Sequence, residues 1–106
     1  MSKNKYDIEL PKGKEQLESL FANIFKKNPT KHYIIRVLKD YFELEELLEI
    51  LQKYEAKIEK FRRNKSIIIL TEDFDYEQIP EFIPLAPTEE EAVDTIDFEE
   101  IERDFF

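Results

Sequence analysis

Ser66-Ile67-Ile68-Ile69-Leu70-Thr71 decides how this chain folds. The run is short, β-branched and bounded by charge, which is the pattern of a strand buried on both faces. Upstream of it, Leu44, Leu47, Leu48, Leu51, Tyr54, Ile58 and Phe61 recur at helical spacing. They predict one long amphipathic helix, with Asp40 as its N-cap and an end near Arg62-Arg63-Asn64. Before that helix, Tyr33-Ile34-Ile35-Arg36-Val37-Leu38 is a second apolar, near-continuous run and reads as an interior strand. Strands joined through a helix favour parallel pairing with a right-handed crossover.

The same logic extends in both directions. Tyr6-Asp7-Ile8-Glu9-Leu10 alternates apolar and charged residues as a half-buried strand does, and Pro11-Lys12-Gly13 breaks it. Leu17, Leu20, Phe21, Ile24 and Phe25 then form one face of a helix that Asn28-Pro29 stops. Beyond Thr71, Glu72 to Pro80 reads as an acidic loop with one helical turn around Tyr76. Phe82-Ile83-Pro84-Leu85 is a weaker strand, suited to a sheet edge because Pro84 cannot donate to a ladder. Thr88-Glu89-Glu90-Glu91 has the form of a capping box. Ala92, Val93, Ile96, Ile101 and Phe105 continue as the apolar face of a last helix. The order β-α-β-α-β-β-α predicts an α/β fold: a small, mostly parallel sheet of about four strands flanked by three helices. It forms a single domain over residues 1–106.

Composition suits such a core. Apolar residues make up 42% of 106, with nine Phe and five Tyr, and a single Gly with five Pro argues against a linker. No cysteine is present, so a disulfide framework or thiolate site is not expected, and a reducing compartment is. No long apolar run follows Met1-Ser2-Lys3-Asn4-Lys5, so the expectation is a cytoplasmic protein with neither a secretory signal nor a membrane partner. The net charge of −9 is polarised: residues 1–65 carry +4 and residues 66–106 carry −13. That asymmetry suits an interaction surface, and equally a domain kept soluble by its charge.

His32 is the only histidine, and without cysteine a zinc site would be almost all carboxylate. His32 opens a strand after Thr30-Lys31 and reads as an ordinary solvent-facing residue. A Ser-His-Asp arrangement would need His32 with Ser2, Ser19 or Ser66, none of which sits on a sharp nucleophile turn. One glycine leaves neither a dinucleotide nor a phosphate-loop fingerprint. No carboxylate sits within an apolar run as a proton-holding acid would, and Asp73-Phe74-Asp75 lacks the rest of a calcium loop. No catalytic residue, cofactor or metal is therefore expected.

Two surfaces remain. Lys26, Lys27 and Lys31 follow the first helix, and Lys57, Lys60, Arg62, Arg63 and Lys65 close the second. A parallel layout brings both clusters to the end of the sheet where strands begin. There they could attract nucleic-acid phosphates, or only cap helix ends and keep the domain soluble. The other surface is Asp97-Phe98-Glu99-Glu100-Ile101-Glu102-Arg103-Asp104-Phe105-Phe106, where acids alternate with large apolar residues. Docked on its own sheet it would be a last core helix. With its aromatics exposed it would be a docking tail for another protein, through Phe98, Glu99, Glu100, Glu102, Arg103, Phe105 and Phe106.

Phe82-Ile83-Pro84-Leu85-Ala86-Pro87-Thr88, Glu91-Ala92 and Glu99-Glu100-Ile101-Glu102-Arg103-Asp104 resemble the ending of small STAS-like proteins of Bacteroidetes. Those are encoded beside ribonuclease Z and sometimes carry its name. The resemblance covers residues 31–106 and implies the fold of sulfate-transporter and anti-sigma-factor-antagonist domains. It implies a regulatory, non-enzymatic module that binds other proteins. Two departures stand out. Lys39-Asp40-Tyr41-Phe42-Glu43 carries no Ser or Thr where phosphoswitched members place one, and Phe105-Phe106 replaces the family's Leu-Gly-Phe. Ribonuclease Z itself needs a His-x-His-x-Asp-His motif that a single histidine cannot supply. The alternative role is an RNA-contacting accessory factor in tRNA 3′-end processing, using Lys57, Lys60, Arg62, Arg63 and Lys65.

Overall fold

The structure is a computed structural model that describes residues 5–105. Four strands, β1 (Tyr6–Glu9), β2 (His32–Arg36), β3 (Ile67–Leu70) and β4 (Leu85–Ala86), form one sheet in the order β1-β2-β3-β4, every pair parallel. The helices are α1 (Lys14–Phe25), α2 (Leu44–Lys53), α3 (Glu55–Phe61) and α4 (Glu89–Phe105). The expected α/β class and parallel sheet are therefore present, with four helices where the periodicity predicts three.

The extra helix comes from a bend. Tyr54 adopts φ −103° and ψ 9°, ending α2 and opening α3. The helical ladder still runs across it, since Tyr54 N–H donates to Ile50 O and Ile58 N–H donates to Tyr54 O. The bend brings the Tyr54 ring against Phe21, with centroids 5.2 Å apart, and against Phe25 at 6.0 Å. The start of α2 also differs from expectation. Asp40 lies in a turn closed by Tyr41 and Phe42 N–H donating to Leu38 O, and the N-cap is Glu43, whose N–H donates to Glu46. At α1 the cap is Gly13 with φ 133°, a conformation that only glycine adopts without strain.

A strand order without reversal, with right-handed crossovers, puts every crossover on one face of the sheet. That face carries α1, α2, α3 and the β3–β4 connection. Ile35, Val37, Ile67 and Ile69 pack there against Leu17, Phe21, Leu47, Leu51, Ile58 and Phe61. The connection, whose composition reads as an acidic loop, drives Phe74, Ile79 and Ile83 into the same core. Its single turn around Tyr76 is present, with Gln78 and Ile79 N–H donating to Asp75 O. β4 is an edge strand of two residues, and Pro84 serves it as an acceptor for Ile69 N–H.

The opposite face is covered by α4 alone. Ile34, Ile68 and Leu70 meet Ala86, Ala92 and Ile96 there. Because α4 lies over β3 and β4, Ile8 on β1 stays 40% exposed. The Thr88 hydroxyl accepts from Glu91 N–H (3.1 Å) and caps α4, which is the Thr88 half of the expected capping box.

Candidate functional site

In open α/β sheets, ligand crevices form beyond the strands' C-terminal ends where strand order reverses. An order of β1-β2-β3-β4 contains no reversal and so no switch point; the cleft at that end, about 330 Å³, lies between Arg36, Leu70, Thr71, Asp73 and Thr88. Among the described residues no group of three or more His, Cys, Asp or Glu side chains is placed to hold a metal. The charged and aromatic residues singled out by the sequence gather instead at the other end, where β2 and β3 begin.

α4 runs back to that end, and one of its faces is anchored there by polar groups. The residues concerned, Ala92, Ile96, Glu99, Glu100 and Arg103, recur at helical spacing. The first two are apolar and fully buried. The last three enter a network. Ser66 Oγ–H donates to Glu99 at 2.6 Å, and the Arg62 guanidinium donates to the same carboxylate at 2.7 Å. Arg62 also donates to Phe82 O at 2.7 Å. Arg103 donates to Arg62 O (3.1 Å) and to Ser66 Oγ (2.9 Å).

His32 is the centre of a second set, and its placement corrects the solvent-facing reading. It is 1% exposed. Ser66 N–H donates to its Nδ1 at 2.8 Å, so the ring proton lies on Nε2, which donates to Glu100 at 3.0 Å. Burial lowers the His32 pKa below its ordinary value, against the opposing pull of Glu100. Glu100 is lowered to about 2, foremost by the hydrogen bond from Lys5 and then by that from His32. Lys5 also pairs with Asp97. Ser66 and His32 thus sit side by side without forming a nucleophile pair: Ser66 Oγ points to Glu99 and is fully buried.

The opposite face of α4 is unlike this one. Phe98, Ile101 and Phe105, spaced three and four apart, form one stripe, exposed at 62%, 54% and 78%. Asp94, Glu102 and Asp104 are exposed around it. Ile101 and Phe105 therefore leave the core face their spacing predicts. Of the predicted partner-binding residues, Phe98, Glu102 and Phe105 face outward. Glu99, Glu100 and Arg103 are engaged within the chain, and Phe106 lies outside the described residues.

The basic clusters do converge. Lys26 and Lys27 after α1, and Lys57 and Lys60 on α3, line one groove of about 410 Å³. Its floor includes Phe25 and Phe61, whose ring centroids are 5.9 Å apart. Among the described residues, none of these four lysines forms an ion pair. Lys57 lies over the Tyr54 ring, 5.8 Å from its centroid. Arg62 is excluded from this groove by its bonds to α4, while Arg63 is exposed beside Glu102 and Arg103. Lys65, half-buried, lines a separate cleft with Asp97 and Asp104. Among the described residues no helix is long and apolar enough to cross a membrane. No family model, curated protein or solved structure matches this chain.

Proposed function

We propose that this chain is a STAS-like regulatory domain that acts by holding another protein on the outer face of α4. The observation that carries the reading is the Phe98-Ile101-Phe105 stripe, exposed on the side of α4 opposite its anchors. A stripe of large apolar residues flanked by Asp94, Glu102 and Asp104, with Arg63 and Lys65 near Ile101 on one side, fits an apolar groove rimmed mainly by basic residues. The parallel sheet flanked by helices, and the closing Glu99–Asp104 motif, support the STAS-like reading.

The test is the triple variant Phe98→Ala/Ile101→Ala/Phe105→Ala, in affinity capture from the native cell with partners identified by mass spectrometry. The variant should lose the specific partner while keeping the wild-type thermal midpoint. Retention of that partner would contradict the reading. Removing residues 97–106 is a poorer test, because it also removes Glu99, Glu100 and Arg103, which hold the helix down.

RNA contact is a second reading, favoured by the convergence of Lys26, Lys27, Lys57 and Lys60 on one groove. It requires salt-sensitive RNA binding that weakens in Lys57→Glu/Lys60→Glu. Lys57 and Lys60 suit this test better than Arg62, whose reversal would break its bonds to Glu99 and Phe82.

A further inference from the structure

The outer face of α4 and the lysine groove are complementary, and they lie at the same end of the molecule. The stripe offers Phe98, Ile101 and Phe105 amid the acids Asp94, Glu102 and Asp104. The groove offers the partly exposed Phe25 ring, backed by the buried Phe61, amid Lys26, Lys27, Lys57 and Lys60. They belong to opposite layers of the sheet, so one chain cannot fold its own stripe into its own groove. Helix α4 is fixed to its layer by His32 and Ser66, at the starts of β2 and β3, and by Arg62 at the end of α3. The groove opens at that end from the other layer, between the last residues of α1 and of α3.

We propose that the occupant of the α4 stripe is a second copy of this chain, with the stripe of each copy seated in the lysine groove of the other. The inference rests on the reading of the α4 face as a docking surface and names what docks there. A two-fold axis at this end would let both contacts form at once, which closes the assembly at a dimer rather than a filament. Aromatic anchors in the groove would supply affinity, and the lysine–acid rim would set orientation and speed encounter. Because the rim is exposed, the pairing should weaken as salt rises.

Sedimentation velocity of the full chain from about 1 μM to about 1 mM tests this. The expected result is a concentration-dependent shift from monomer to dimer, with dissociation favoured at least tenfold by high salt. Phe98→Ala/Phe105→Ala and Lys57→Glu/Lys60→Glu should each be monomeric across that range, with unchanged far-ultraviolet circular dichroism. Mixed in equal amounts, the two should form a dimer again, because one intact stripe then meets one intact groove. A wild-type chain monomeric throughout would overturn the proposal, as would single variants that dimerise like wild type or a mixture that stays monomeric. If the wild type is monomeric yet the stripe variant still loses a different captured protein, the docking reading survives and the second copy is ruled out. If Lys57→Glu/Lys60→Glu abolishes RNA binding and leaves dimerisation untouched, the groove belongs to nucleic acid and the proposal also fails.

Discussion

The two faces of the sheet are covered by different physics. On one, α1, α2, α3 and the β3–β4 connection bury a continuous apolar core that includes Phe21, Leu47, Ile58, Ile69 and Phe74. On the other, α4 contributes only Ala92 and Ile96 as fully buried apolar residues, and ions and hydrogen bonds of Glu99, Glu100 and Arg103 hold the remainder. An apolar layer is insensitive to ionisation, whereas a helix held by carboxylates and a neutral histidine is not. The difference also explains the exposed stripe. Once polar residues take over the docked face of α4, its large apolar residues are left to point outward.

The largest effect should come from the apolar layer. Phe21→Ala removes a fully buried ring stacked near Phe25 and Tyr54, and should cost about 3–5 kcal/mol in chemical denaturation. A smaller loss would mean that this layer is loosely packed. Glu99→Ala comes next, at about 3 kcal/mol, because it leaves Arg62 and Arg103 half-buried without their shared carboxylate. Its signature is regional: amide exchange should quicken in α4 while α1 stays protected. Equal loss of protection in both would erase the contrast between the layers.

Acidification should act in the same direction but more gradually. His32 has a folded pKa below its ordinary 6.5, so its contribution is present above that value and fades as pH falls beneath it. Protonation would place a hydrogen on Nδ1, opposing the Ser66 N–H that now donates there. Around the ring, Glu100 favours the charged form, while Lys65 and Arg103 oppose it. The Glu100 contribution is lost between 4.5 and about 2. Exchange measured against pH should therefore show α4 opening before α1 as pH falls below 6.5, and Glu100→Gln should flatten the lower part of that dependence.

Much of the apolar layer was legible from local pattern. β2 and β3 are β-branched runs, α1 follows a three-and-four spacing, and Pro84 marks the edge, each signal contained in a few consecutive residues. The polar layer was not, because its signals are long-range. His32 stands between charged and polar neighbours, and only parallel pairing of β2 with β3, followed by the return of α4, buries it against Ser66 and Glu100. Ile101 and Phe105 fall on the core face only by a period that assumes apolar residues point inward, and α4 inverts that assumption at its end. The convergence of Lys26, Lys27, Lys57 and Lys60 was readable, since it follows from helix ends meeting at the starts of parallel strands.

The smallest effect on stability is also the most informative about function. Phe98→Ala/Ile101→Ala/Phe105→Ala removes three exposed side chains, so each should change stability by no more than about 0.5 kcal/mol. Thermal unfolding and binding measured on this one variant test the account most directly. A midpoint within about 10 °C of wild type together with lost association is the predicted result. A fall in midpoint as large as that of Glu99→Ala, or association that survives the three substitutions, would contradict it.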